Sequence, residues 1–350
     1  MRTRRSWLLA ATSLRPLAGL LAVGVFSAAC GPSNPGRIDD NAVYFNCLEQ
    51  FVERLRQSTC RVDVDSGSIE EVYAESIITW GPSISPDRRH IVLTADPDPG
   101  SFDDPSEFVV LDAEHLVTRT FATNGIINRS WSPTSDAFLT TTDTGLAIIP
   151  LDGSAPERID VSPPAQPGEH AMSPDGSLIA AAIGGMEEPT FLVVYDVTSG
   201  LEESRIETGP ISSLAWSSDG RLAIGSSSGL LLLDPETDDF SVLDISALDR
   251  YFGVSWSPGD DHIAAMRGGQ LVLYDIERGI QQPLTPKNVN VASGPPAWSP
   301  NGERIVVALT NEDDLLPQLV LVDVELGTLT DLTPAAEQPG DLGAAYPVWR

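Results

Sequence analysis

One short pattern recurs along this chain at near-constant spacing, and it limits the fold more than any other feature. An apolar residue or Trp precedes Ser, usually Pro, then a polar turn and a β-rich run. It reads Ile84-Ser85-Pro86-Asp87, Trp131-Ser132-Pro133-Thr134, Met172-Ser173-Pro174-Asp175-Gly176, Trp216-Ser217-Ser218-Asp219-Gly220, Trp256-Ser257-Pro258-Gly259 and Trp298-Ser299-Pro300-Asn301-Gly302. The serines are 47, 41, 44, 40 and 42 residues apart. A period in the forties with strand-like content is the mark of a propeller. Pro presets φ in such a turn, and Asp bonds its own backbone.

A second mark keeps the same register. Each unit holds an apolar run ending in Asp: at Asp112, Asp152, Asp196, Asp234, Asp275 and Asp323. Most continue through a Gly-containing turn into another short strand. Each unit therefore offers an inner strand ending at the Ser-Pro turn, a second strand, a third ending at Asp, and an outer fourth. Four antiparallel strands make a blade. The third strands are apolar on both faces, as in sheets packed between neighbours.

These residues resemble the TolB-like propeller repeat, a bacterial relative of WD repeats with a Trp-Ser-Pro-Asp-Gly hallmark. Leu284-Thr285-Pro286 and Leu332-Thr333-Pro334 also match the way those units end. The resemblance covers about residues 76–350 and assigns the repeated Trp and Asp a structural role. It implies work within protein complexes of the cell envelope. No separate N-terminal α/β domain of the kind seen in TolB is expected, so a Tol–Pal role does not carry over.

The chain ends Tyr346-Pro347-Val348-Trp349-Arg350, with Trp349 in the place of Trp298. That is a seventh inner strand with nothing following it. Residues 60–72 read as strand, Ser-Gly turn, strand, with Asp65 matching Asp323, and residues 42–45 could supply a second strand. The sequence thus predicts an all-β fold. It is a single β-propeller with seven blades of four-stranded antiparallel sheet, six blades with a surplus edge strand being the other count. The last blade is shared by the N- and C-termini. Leu48, Phe51, Val52 and Leu55 fall at helical spacing with charged residues between them, so one short N-terminal helix is expected there. Cys47 and Cys60 flank it. A ten-residue helix is roughly 15 Å long, whereas a disulfide needs Cα atoms within about 7 Å. The bridge is left open on that ground.

Ahead of the repeats lies an address. Arg2, Arg4 and Arg5 precede an apolar run over residues 17–26, and Ser27-Ala28-Ala29-Cys30 follows. Small residues before a cleavage point suit a signal peptidase. The cysteine just after them resembles a bacterial lipobox, with Ser27 departing from the usual Leu. That resemblance implies lipidation of Cys30. Thr3-Arg4-Arg5-Ser6-Trp7-Leu8-Leu9 is similar to the twin-arginine export motif, which leaves both export routes open. The domains expected are an export signal peptide at 1–29, a flexible tether at 30–40 and the propeller at 41–350. The address is the outer side of a bacterial membrane, periplasmic or cell surface. Two remaining cysteines fit an oxidising compartment.

Charge narrows the partners. Against 50 Asp and Glu stand 21 Lys and Arg, a formal net charge of −29. Nucleic-acid binding needs clustered Lys and Arg, so it is excluded, and membrane contact is expected through the lipid alone. The loops between second and third strands are the most variable in length. The long ones are acidic: Asp96, Asp98, Asp103, Asp104 and Glu107; Glu187 and Glu188; Glu312, Asp313 and Asp314. They form a candidate rim for calcium or for a cationic partner, weighed against a merely solvated surface. No EF-hand ladder is present, and no other cofactor is expected.

Catalytic motifs are sparse. Gly225-Ser226-Ser227-Ser228-Gly229 fits a nucleophile pattern that works only on a strand-to-helix turn, and here it falls between two strands. His90, His115, His170 and His262 lie in different units. The expected function is a monomeric, non-catalytic envelope lipoprotein whose propeller is a scaffold for protein partners. The alternative is an enzyme or small-ligand sensor using the channel, through residues such as Glu169, His170 and Arg250.

Overall fold

In the computed structural model, residues 35–350 form one compact unit. The structure describes residues 36–350 except 52–53, 75–76, 97–106, 123–128, 143–144, 160–168, 185–189, 238, 246–249, 287–289, 292–293, 311–315 and 335–341. They build seven four-stranded antiparallel blades in a propeller ring. Blade one runs Ile77–Ile84, His90–Asp96, Glu107–Asp112 and Val117–Ala122 from the axis outward. Blades two to five repeat that order, with inner strands Arg129–Trp131, His170–Met172, Ile211–Trp216 and Tyr251–Trp256. In blade six the inner strand comes in two pieces, Asn290–Val291 and Ala297–Trp298.

Blade seven joins the two ends of the chain. Its order is Leu342–Val348, Ala42–Phe51, Arg54–Asp63 and Ile69–Tyr73. The shared blade and the count of seven stand as the sequence predicts. The short helix does not. Leu48 and Phe51 lie on a strand, paired with Gln57 and Arg54, and no helix occurs among the described residues. The apolar spacing there spans too few turns to hold a helix alone. Pairing on both sides overrides it: Leu48 also faces Gly343 of the closing strand. The hairpin brings the cysteines together, and Cys47 and Cys60 form a disulfide with Cα atoms 5.7 Å apart. Residues 36–40 are not all tether. Ile38 is buried, its N–H donates to Arg88 O at 2.7 Å, and Arg88 donates back to Ile38 O at 2.6 Å.

The core is divided among the seven gaps between blades. Each of seven clusters of buried residues draws on two neighbouring blades. Phe45 packs toward blade six and Tyr44 toward blade one, since successive strand residues point to opposite faces. This double-sided burial explains the unbroken apolar runs of the third strands.

Candidate functional site

The repeated residues are spent on holding the ring. In every Ser-Pro turn the serine hydroxyl donates to a nearby side-chain oxygen: Ser85 to Asp87 at 2.7 Å, Ser132 to Asp136 at 2.8 Å, Ser173 to Asp175 at 2.6 Å, Ser217 to Asp219 at 2.5 Å, Ser257 to Asp261 at 2.7 Å and Ser299 to Asn301 at 2.7 Å. The same oxygens accept backbone N–H groups, as Ser173 does from Leu178 at 2.9 Å. Hydrogen bonds from serine hydroxyls hold the Asp175 and Asp261 carboxyls below their usual range. The indole N–H groups reach back one blade. Trp216 donates to Ala171 O at 3.1 Å, Trp256 to Ala215 O at 2.9 Å and Trp298 to Ser255 O at 3.2 Å.

The other sequence candidates separate. Cys30, Asp98, Asp103, Asp104, Glu187, Glu188, Glu312, Asp313 and Asp314 lie outside the described residues. Of the acidic rim, Asp96 pairs with Ile77 at the end of a strand, and Glu107 is half-buried opposite Ala95. Among the described residues no cluster of three or more His, Cys, Asp or Glu forms. Ser226 sits in a tight hairpin, where its hydroxyl donates to Gly229 O at 3.1 Å and accepts from Ser228 N–H at 3.1 Å. The buried His170 ring contacts Thr141 Oγ1 at 3.1 Å and Leu139 O at 3.3 Å, tying blade three to blade two. His115 pairs with the Tyr44 hydroxyl at 2.9 Å. His262 lies 3.0 Å from Asp261, and His90 stacks on Trp131.

What the ring creates is a cavity at the channel end bearing the Ser-Pro turns. It has a volume of about 590 Å³ and is lined from all seven blades. Trp131, Trp216 and Trp256 frame it together with prolines of several turns. Among the described residues its only charged lining side chains are those of Arg129 and Arg350. Arg129 leaves the inner strand of blade two and donates to Thr94 Oγ1 and Gly81 O of blade one. Its guanidinium also lies 5.8 Å over the Phe108 ring. Burial pushes its pKa down to about 10. Arg350 donates to Ile84 O at 2.6 Å, and burial lowers its pKa too. Neither guanidinium has a carboxylate partner among the described residues. Sequence reasoning missed both arginines. The sequence offered little signal: Arg129 opens an inner strand and Arg350 follows the closing strand by two residues.

Comparison with known proteins places this geometry. No protein-family model matches the chain, and no curated protein matches it. Solved structures do. TolB from Acinetobacter baumannii is 15% identical with a TM-score of 0.51, covering 88% of this chain and 82% of that one. A puromycin hydrolase S511A mutant complexed with PGG is 17% identical with a TM-score of 0.64, covering 85% of this chain and 53% of that one. Hydrazine synthase of Kuenenia stuttgartiensis is 15% identical with a TM-score of 0.55, covering 70% and 76%. This chain spans about half the length of the hydrolase. At such identities the likeness is one of fold, and the fold is the seven-bladed propeller of TolB-like type.

Proposed function

We propose that this protein is an exported, lipid-tethered propeller that binds a partner protein at the mouth of its channel and performs no chemistry. The observation that carries the reading is the cavity of about 590 Å³ framed by Trp131, Trp216, Trp256 and turn prolines. Aromatic side chains are enriched at protein interfaces, and a concavity fed by seven rigid inner strands is preformed. The TolB-like fold supports a scaffold role. Export and a lipid on Cys30 supply the address, and Cys30→Ser then moves the protein from the membrane fraction to the soluble one. Calcium at the acidic rim is not needed by this reading.

The test uses photo-crosslinking from intact envelopes. A crosslinking amino acid at Pro174, on the mouth, captures a discrete partner, while one at Leu201, exposed on blade three outside the cavity lining, does not. Equal labelling from both positions, or no reproducible product from Pro174, sinks the proposal.

A further inference from the structure

The channel mouth carries the wrong charge for this protein. A chain of net charge −29 lines this axial cavity, among the described residues, with two guanidiniums and no carboxylate side chain. Both cations flank the inner strand of blade one: Arg129 holds Gly81 O from blade two, and Arg350 holds Ile84 O from blade seven. Their partners are neutral oxygens, which satisfy hydrogen bonds without cancelling charge. Arg129 is half-buried and Arg350 exposed at the mouth, and neither has a carboxylate partner among the described residues, so the pair raises a positive potential at this wall. Low-dielectric walls of one sign focus that potential into the cleft.

A second irregularity falls at the same place. Trp216, Trp256 and Trp298 each give their indole N–H to the preceding blade. The Trp131 indole N–H and Arg129 Nε, two residues apart on one strand, have no acceptor among the described residues. In the facing blade one the inner strand slips register between Ile78 and Trp80 and again between Trp80 and Ser83. Spare donors and uncompensated charge thus meet in one sector.

We propose that this sector binds a carboxylate of the partner's polypeptide, so that the segment entering the mouth is acidic. The inference rests on the partner-binding reading above and adds the chemistry of the guest. Arg350 is the contacting cation, because a guanidinium presents paired donors to a carboxylate. Arg129 acts behind it as a positioning residue that holds the blade-one strand and the potential. Proximity of the protein's own acidic surface disfavours loose association of anions, so recognition is confined to this wall.

The test titrates amidated triglutamate into the full chain in detergent, with triglutamine and inorganic phosphate as parallel probes. Binding is read by heat and by tryptophan fluorescence. Triglutamate is expected to bind and triglutamine not to bind. Arg350→Gln should weaken triglutamate at least tenfold while shifting the melting temperature little. A fall in melting temperature with unchanged affinity would assign Arg350 to ring closure alone and overturn the proposal. Equal binding of both peptides overturns it as well, and phosphate binding without triglutamate binding overturns the peptide assignment. A crosslinked partner at Pro174 with no response to triglutamate would overturn this inference and leave the partner-binding reading standing.

Discussion

At the fourth position of every repeated Ser-Pro turn the backbone is left-handed, and two kinds of residue occupy it. Gly176, Gly220 and Gly302 have φ of 77°, 93° and 73°, while Arg88, Ser135 and Asp260 have 62°, 63° and 55°. The glycines adopt this conformation freely. The other three use their side chains as clasps. Ser135 Oγ accepts Asp87 N–H at 2.9 Å, Asp260 accepts Ser218 N–H at 3.0 Å, and Arg88 holds Ile38 O. Strain at those turns is offset by a bond to a neighbouring blade or to the entering chain. Gly176→Ala gains no such clasp, and its new Cβ would lie 3.2 Å from Pro133 Cγ. A loss of about 1–2 kcal/mol is expected from the left-handed backbone, read as a lower urea midpoint with an unchanged slope. An unchanged midpoint would show that the turn relaxes.

Among the elements, the hairpin of blade seven differs most from its sequence reading. Apolar residues at helical spacing became a strand because two partners were waiting, one of them contributed from the far end of the chain. No local rule could weigh that pairing. The cysteines are separated by 13 positions, and their bridge closes a loop that the hairpin already brackets. Cys60→Ala should cost about 2–4 kcal/mol. Because the closing strand Leu342–Val348 pairs with Ala42–Phe51, the loss should fall on ring closure. Urea melts of wild type with and without reductant check it: a midpoint indifferent to reductant would mean that the hairpin is held by pairing alone. The repeated blades, by contrast, were legible in full, since Ser, Pro, Asp and Gly act within their own turns.

On the scale of the whole molecule, closure depends on the seam between blades seven and one. There Tyr44 meets His115 at 2.9 Å. Burial and then the Arg61 charge push the His115 pKa down, while Glu70 and Asp112 pull it upward more weakly. The folded ring thus prefers neutral imidazole. Its contribution is whole above the unfolded value of about 6.5 and is lost as pH falls from there through the lower folded value. Wild type should lose melting temperature between pH 7.5 and pH 5.5, and His115→Gln should lose less. Parallel slopes for the two proteins would remove His115 from the seam's pH response.

By itself the sequence determined the propeller architecture, with seven blades ahead of six, along with strand order, the blade shared by both ends and the side of the ring where the Ser-Pro turns lie. These follow from short-range chemistry repeated at a fixed period, which any one segment carries whole. Tertiary structure decided the rest. Whether Leu48 and Phe51 coil or extend depended on a closing strand hundreds of positions away. Arg129 and Arg350 are ordinary in the sequence, 221 residues apart, and become a pair only because ring closure sets blades two and seven on either side of blade one. A repeat fixes its own fold locally, whereas charge at the axis is a sum over blades and exists only once the ring is shut.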